Sequence, residues 1–320
     1  MSKVSIGGQA VIEGVMMKNK DKYAIAVRKP DKEIEVKLDS YKPAADKGLF
    51  FRLPIVRGVF NFVESLVIGV KTLTYSASFY DEETENVDYS SAESDKKAST
   101  NVNADKKSDT SDSIMMFFTV ALSIILAIGL FMLLPAFLVS LLDKYIESHV
   151  LLGLIEGIIR LAIFLLYVFL ISRTEDIKRT FMYHGAEHKS INCLEAGNEL
   201  TVDNVMKATR FHKRCGTSFL FIVMIVSILV FMCIDSKTLW LRLLLRVLLV
   251  PVIAGISYEF IRYAGSHNNT CANVLSKPGL WVQRLTTIEP TPDMVEVAIK
   301  AVEGVFDWRE YLEDMKKEND

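Results

Sequence analysis

VLLGLIEGIIRLAIFLLYVFLIS, residues 150–172, decides the class of this protein. It is apolar apart from Glu156 and Arg160, and it is long enough to exceed the ~20 residues that a helix needs to cross a bilayer. Three further runs, 114–142, 217–234 and 239–263, have the same character. The fold expected is therefore membrane α-helical, with about four transmembrane helices. Only residues 143–149 separate the first two runs and only 235–238 the last two, so the spans form two hairpins.

The loop between the hairpins, 173–216, is long and carries Arg173, Lys178, Arg179, Lys189, Lys207, Arg210, Lys213 and Arg214. Basic loops stay in the cytoplasm. A multi-pass protein of the cell membrane follows, with the lipid bilayer around it and both termini cytoplasmic. The core of the molecule is then 113–263, and 264–320 is a cytoplasmic helical region. Within that region Thr291-Pro292 opens an amphipathic helix running to about Met315, with Val295, Ile299 and Val302 on one side.

Upstream, residues 1–52 read as a small cytoplasmic β-rich module. VSIGGQAVIEGVMM, YAIAVR and IEVKL, with the Lys29-Pro30-Asp31-Lys32 turn, predict an antiparallel meander. Gly7, Gly8 and Gly14 around Gln9 and Glu13 predict tight turns and a bulge at its start. Residues 53–80 are apolar enough to suggest a fifth span but read as an amphipathic helix lying in the membrane interface or packed on the bundle, because Arg57, Asn61, Glu64, Lys71 and Ser78 share one stripe. Residues 81–112 lack Leu, Ile, Phe, Met and Trp and read as a disordered acidic linker.

Composition agrees with this mixed design. The 320 residues are 50% hydrophobic and 24% charged, with a mean hydropathy of +0.25. The net charge of −2 argues against a nucleic-acid binder held by bulk electrostatics, and no DNA partner is expected. The linker holds ten acidic and four basic residues, a net charge of −6 that leaves +4 for the rest. Cys193, Cys215, Cys233 and Cys271 are too scattered for a disulfide scaffold, and the N-terminus lacks the layout of a secretory signal.

The chemistry concentrates in the cytoplasmic loop. Ser172 to Glu175 has capping-box spacing and Glu195-Ala196-Gly197 looks like a helix stop, so one helix carries Tyr183-His184-Gly185-Ala186-Glu187-His188-Lys189. On it His184 and His188 share a face one turn apart, close enough to bind one ion, and Glu187 lies beside them. This is the H-x-x-E-H order of the inverted zinc proteases. A second cluster, Phe211-His212-Lys213-Arg214-Cys215-Gly216, adds an imidazole and a thiol. Zinc is the metal that such donors fit. Four ligands, His184, His188, His212 and Cys215, would make a closed structural site. Three would leave a place for water, with Glu187 as general base. Glu195 and Glu259 are alternative carboxylate ligands.

Within the spans, Glu156 and Arg246 fall at similar depth from the outer helix ends. They are expected to pair and fix the bundle register, while Arg242 snorkels outward.

GGQAVIEGVMM, YHGAEHK, HKRCGTSF, ISYEFIR and PGLWVQRLTTIEP together resemble the YqhQ-like family of bacterial polytopic membrane proteins. The resemblance covers nearly the whole chain apart from 81–112, with Lys213 standing where proline is expected in many members. It implies an inner-membrane protein, a predicted metal-dependent enzyme, with His184, Glu187, His188, His212 and Cys215 forming the metal centre. The function expected is zinc-dependent hydrolysis of a peptide or other amide bond. The rival is a non-enzymatic scaffold or membrane-protein biogenesis factor, with structural zinc and with a ribosome, translocon or other membrane protein as partner. The basic stretch KATRFHKR, 207–214, suits such contacts.

Overall fold

The computed structural model describes residues 6–81, 110–142, 144–234, 239–267 and 269–319. Among these residues the fold is 71% helical, with three helical stretches long and apolar enough to cross a membrane and a small N-terminal antiparallel sheet.

The sheet is the expected meander. Strands β1 (Ile6–Val11), β2 (Gly14–Asn19), β3 (Lys22–Arg28) and β4 (Ile34–Ser40) lie in the order β1-β2-β3-β4, each antiparallel to the next. Its hairpins turn on residues that adopt positive φ, Glu13 at 49°, Lys20 at 53° and Lys32 at 72°. The Lys32 N–H closes the expected turn onto the Lys29 carbonyl at 2.9 Å. No bulge interrupts the β1–β2 pairing, which runs residue for residue from Ile6↔Asn19 to Val11↔Gly14. The glycines there serve a different purpose, described below.

Helix α1 (Val56–Asp81) follows two short 3₁₀ turns, and it is not among the stretches long and apolar enough to span. Those are Ala121–Ser140, His149–Ile171 and Leu244–Ser266. The first is built from α2 (Thr110–Ile128), a π-helical turn at Gly129–Leu133 and α3 (Leu134–Ser140). Pro135 in the first turn of α3 needs no amide partner there, which suits the change of helical pitch. The second is α4 (His149–Ile171) and the third lies in α8 (Leu239–Ser266). The fourth apolar run is α7 (Gly216–Met232), whose 17 residues fall short of the other three.

Between α4 and α7 the loop folds as α5 (Glu175–Glu195) and α6 (Val202–Lys207). The expected capping box does not form. Ser172 ends α4 with its hydroxyl on the Phe169 carbonyl, and Thr174, with extended φ/ψ, precedes the first turn of α5. The stop is as read, since Gly197 takes φ of +76°.

After α8 come α9 (Thr270–Thr286), α10 (Pro292–Val305) and α11 (Trp308–Asn319). The single helix expected from Thr291 to about Met315 is thus two. Phe306 is extended, and the Asp307 carboxylate accepts from the Arg309 and Glu310 amides, restarting the chain as a new helix.

Two cores hold the sheet from opposite sides. Ile6, Val15, Met17 and Ala26 pack with Tyr183, Ala186 and Ile191 of α5 and with Val295, Ala298 and Val302 of α10. On the other face Val11, Met16, Tyr23, Ile25 and Val27 meet Ile68 of α1. Burial on both faces explains why β2 and β3 read as nearly continuous apolar runs. Residues 82–109, most of the expected acidic linker, and the 235–238 connection lie outside the described residues, as does the Arg242 side chain.

The expected intramembrane pair forms. Arg246 Nη2 donates to Glu156 Oε2 at 2.7 Å, and Arg160 Nη2 donates to Glu156 Oε1 at 2.8 Å. All three side chains are buried.

Candidate metal centre

Helix α5 buries polar side chains as well as the apolar ones that pack on the sheet and α10. His188, Glu187 and Lys189 are all nearly inaccessible to solvent. Each is held by a specific partner. Lys189 donates to the Met206 and Ala208 carbonyls at 2.8 and 2.9 Å and pairs with Glu289, which pins the 206–210 loop to the helix. Gly185 allows the other side to close. A Cβ there would lie 2.0 Å from the Ile288 carbonyl oxygen, so only glycine lets the 286–290 segment reach α5.

Both histidines present the same ring atom inward. His184 Nδ1 lies 2.8 Å from the Thr286 carbonyl, and His188 Nδ1 lies 2.7 Å from that of Arg210. A carbonyl oxygen only accepts, so Nδ1 carries a proton in each ring and Nε2 is the ring atom left to face the cluster. That is the orientation that metal-ligating histidines receive from their surroundings. Cys215, at the N-cap of α7, sets its Sγ 3.2 Å from His184 Nε2. One donor atom from each of His184, His188 and Cys215 fits within 4.8 Å of the others. Ligands bound tetrahedrally at 2.0–2.3 Å sit roughly 3.5 Å apart, so this set can close on one ion.

Glu187 completes the cluster from the same helix. The Gly8 amide of β1 donates to its carboxylate, and its Oε2 is buried with no hydrogen-bond partner. Here lies the use of Gly8, because a Cβ on it would come within 2.8 Å of Glu187 Cγ and 2.7 Å of the Met16 carbonyl oxygen, whereas one on Gly7 would meet nothing within 4 Å. An orphaned buried carboxylate oxygen beside two aimed imidazoles and a thiol fits a cation.

Electrostatics within the cluster are strongly coupled. Burial pushes the Cys215 thiol up, but His184 and His188 override it and hold it well below its ordinary value. Burial pushes the His184 imidazole down, and the charge on Cys215 more than reverses this, carrying it up to about 9. Burial raises the Glu187 carboxyl against the opposing pull of the two imidazoles.

His212 stands beside this group but outside it. Its ring centroid is 5.6 Å from that of His188, while its Nε2 lies 3.7 Å from Glu195 Oε2. Gln283 of α9 clamps its backbone, accepting from the His212 amide at 2.9 Å and donating to the His212 carbonyl at 2.7 Å. Glu195 also pairs with Arg214, and Glu259 pairs with Arg57 at 2.6 Å, so neither alternative carboxylate joins the cluster. Gln283 and Thr286 are functional positions that the sequence reading passed over. Their block, PGLWVQRLTTIEP, was visible, but nothing in its pattern marks a side chain that grips a distant loop.

Residues 53–308 match the family described as "Protein of unknown function (DUF1385)". The chain belongs to this family. It is also 35% identical over 300 residues to the "Uncharacterized protein YqhQ" of Bacillus subtilis (strain 168), covering 92% of this chain and 90% of the relative. No solved structure matches. The YqhQ-like resemblance therefore holds, and the five blocks that carried it have a spatial logic. Four of them meet at the cluster, through Gly8, through His184, Glu187 and His188, through Cys215, and through Gln283 and Thr286. The fifth, ISYEFIR, supplies Tyr258 and Glu259, which bind Asn61 and Arg57 of α1.

Proposed function

We propose that this protein is a zinc-dependent hydrolase of the bacterial inner membrane that cleaves a peptide or other amide bond at the cytoplasmic face. The observation that carries the reading is the pairing of two imidazoles, each aimed by a backbone carbonyl, with Cys215 Sγ and an unpartnered oxygen of Glu187. His184, His188 and Cys215 are the ligands. Zinc held there would supply a Lewis acid able to make water acidic, toward a pKa of ~7. Glu187 is the general base, receiving a proton at Oε2 while the Gly8 amide holds its other oxygen. His212 is not a ligand in this reading, so the site is the open, three-ligand kind.

Four spans and cytoplasmic termini belong to the same proposal. Support comes from the shared core of sheet, α5 and α10, which keeps these three segments on one side of the membrane. A single crossing by α8 would part α5 from α10, so α7 must make the outward journey. At 1.5 Å per residue its 17 residues reach about 25 Å, enough with modest bilayer adjustment.

Metal analysis of the detergent-purified chain tests the proposal. One zinc per chain is expected, lost in His184→Ala and His188→Ala but retained in His212→Ala and Glu187→Gln. A protein without stoichiometric metal would overturn it.

A second reading is favoured by one observation, namely that the centre ties four distant segments together. Zinc would then be structural in a scaffold or biogenesis factor with a ribosome or translocon partner. The basic stretch 207–214 gives this little help. Arg210 pairs with Glu289, Arg214 with Glu195, and Lys213 donates to Asn273, so much of its charge is spent within the fold. Glu187→Gln separates the two: a cellular phenotype lost with metal retained supports hydrolysis, and an unchanged phenotype supports the scaffold.

A further inference from the structure

Helix α1 is amphipathic the wrong way round for a helix on a water-soluble body. Several of its polar and small residues face protein, while Ser65, Lys71, Thr74 and Ser78 are exposed. Arg57 pairs with Glu259, Asn61 donates to the Tyr258 hydroxyl at 2.7 Å, and the Ser76 hydroxyl accepts from the Ile12 amide at 3.1 Å. Outward it presents Val63, Leu66, Val67 and Val70, with 48, 52, 64 and 65% of their surfaces exposed. These positions recur at i, i+3, i+4 and i+7, so they form one continuous apolar face. Phe50 and Leu53, in the segment just before α1, are exposed as well.

The position of α1 names the occupant. It abuts α8, one of the spanning stretches, where a Cβ on Gly58 would touch Tyr258 Cβ at 2.8 Å and Gly255 Cα at 3.0 Å. Gly255 lies roughly 16 Å along α8 from its end at Ser266, so the start of α1 runs beside the span rather than above it. Phe62 further meets Phe219 of α7, with ring centroids 5.3 Å apart and the rings tilted by 41°. Meanwhile Leu244, Val247 and Leu248 of α8 are as exposed as the α1 residues, and these belong to a helix whose surroundings are lipid. A large apolar face left in water is rare on soluble proteins.

We propose that the outward face of α1, with Phe50 and Leu53, is embedded in the bilayer leaflet adjoining the sheet, and that α1 holds the sheet against the membrane surface. Lipid acyl chains are the partner. The inference rests on the membrane reading of α8 and not on the metal.

Spin labelling of the full chain in phosphatidylcholine–phosphatidylglycerol vesicles tests it. Nitroxides are placed at Leu66→Cys and Val70→Cys, with Lys22→Cys on β3 as the aqueous reference and exposed Cys233 and Cys271 replaced by serine. The ratio of collision with oxygen to collision with a water-soluble nickel chelate is expected to be several-fold higher at 66 and 70 than at 22. Ratios equal to that at 22 would put the face in water and overturn the proposal. Exclusion of both reagents, with spin–spin broadening that dilution with unlabelled chain removes, would assign the face to a second copy and overturn it equally.

Discussion

Two buried polar clusters divide this molecule, one between the membrane helices and one beneath the sheet, and they differ in how their charges are met. Arg246 Nη1, which makes no aligned hydrogen bond, still lies 2.6 Å from Glu156 Oε1, whereas Glu187 Oε2 pairs with no cation among the described residues. Glu156 holds two guanidinium groups, the Arg160 Nε bonds the Phe131 carbonyl at 3.0 Å, and the Phe231 ring lies 5.3 Å from both cations. In the other cluster the two Nε2 atoms and Cys215 Sγ converge, and Glu187 Oε2 has no partner. A closed ionic cluster sets how helices meet. A cluster with donor atoms aimed inward and one oxygen unmatched offers atoms that a further group could pair, since an unpaired buried polar atom costs ~1–3 kcal/mol.

The sharpest way to break this contrast is Glu156→Gln, which leaves two buried guanidiniums without a carboxylate. A loss of about 3–5 kcal/mol is expected, seen as a large fall in detergent melting temperature. Unchanged melting would remove the cluster's role in helix register. Next is Gln283→Ala, which strips the His212 backbone of both its clamp bonds and should cost about 2–3 kcal/mol, with weaker zinc retention under dialysis against a chelator. Retention equal to the parent chain would detach the His212 loop from the site.

Glu187→Gln carries the comparison itself. Removing a buried charge that is not fully matched should leave the metal-free protein as stable or about 1 kcal/mol more stable, while the proposed hydrolysis is lost. A clear loss of stability in the metal-free form would make Glu187 a structural member like Glu156. The smallest effect is expected for Lys71→Ala. Its pair with Asp39 is solvent-exposed, so melting should move by less than ~1 kcal/mol and less still in high salt.

Particular residues show how far the amino-acid order could be followed. Glu156 and Arg246 were matched by counting depth along two apolar runs, since a bilayer imposes one length scale and one rise per residue on every helix. His184 and His188 were matched by helical spacing. Both inferences use a regular local geometry. His212 and Cys215 looked equivalent by the same kind of spacing, yet Gln283 and Glu195 hold the histidine aside while α7 begins on the cysteine. Nothing local distinguishes them, because the residues that do so lie up to 71 positions away.

The order of residues by itself determined the membrane class, the meander, the α5 helix and the family, for each is a periodic or short-range pattern that the backbone must obey. Only the tertiary structure decided which donors share a centre, why Gly8 must lack a side chain, where the C-terminal helix breaks and which way α1 faces. Those outcomes depend on contacts between segments far apart in the chain, where packing and the need to partner buried polar groups, rather than local periodicity, select the arrangement.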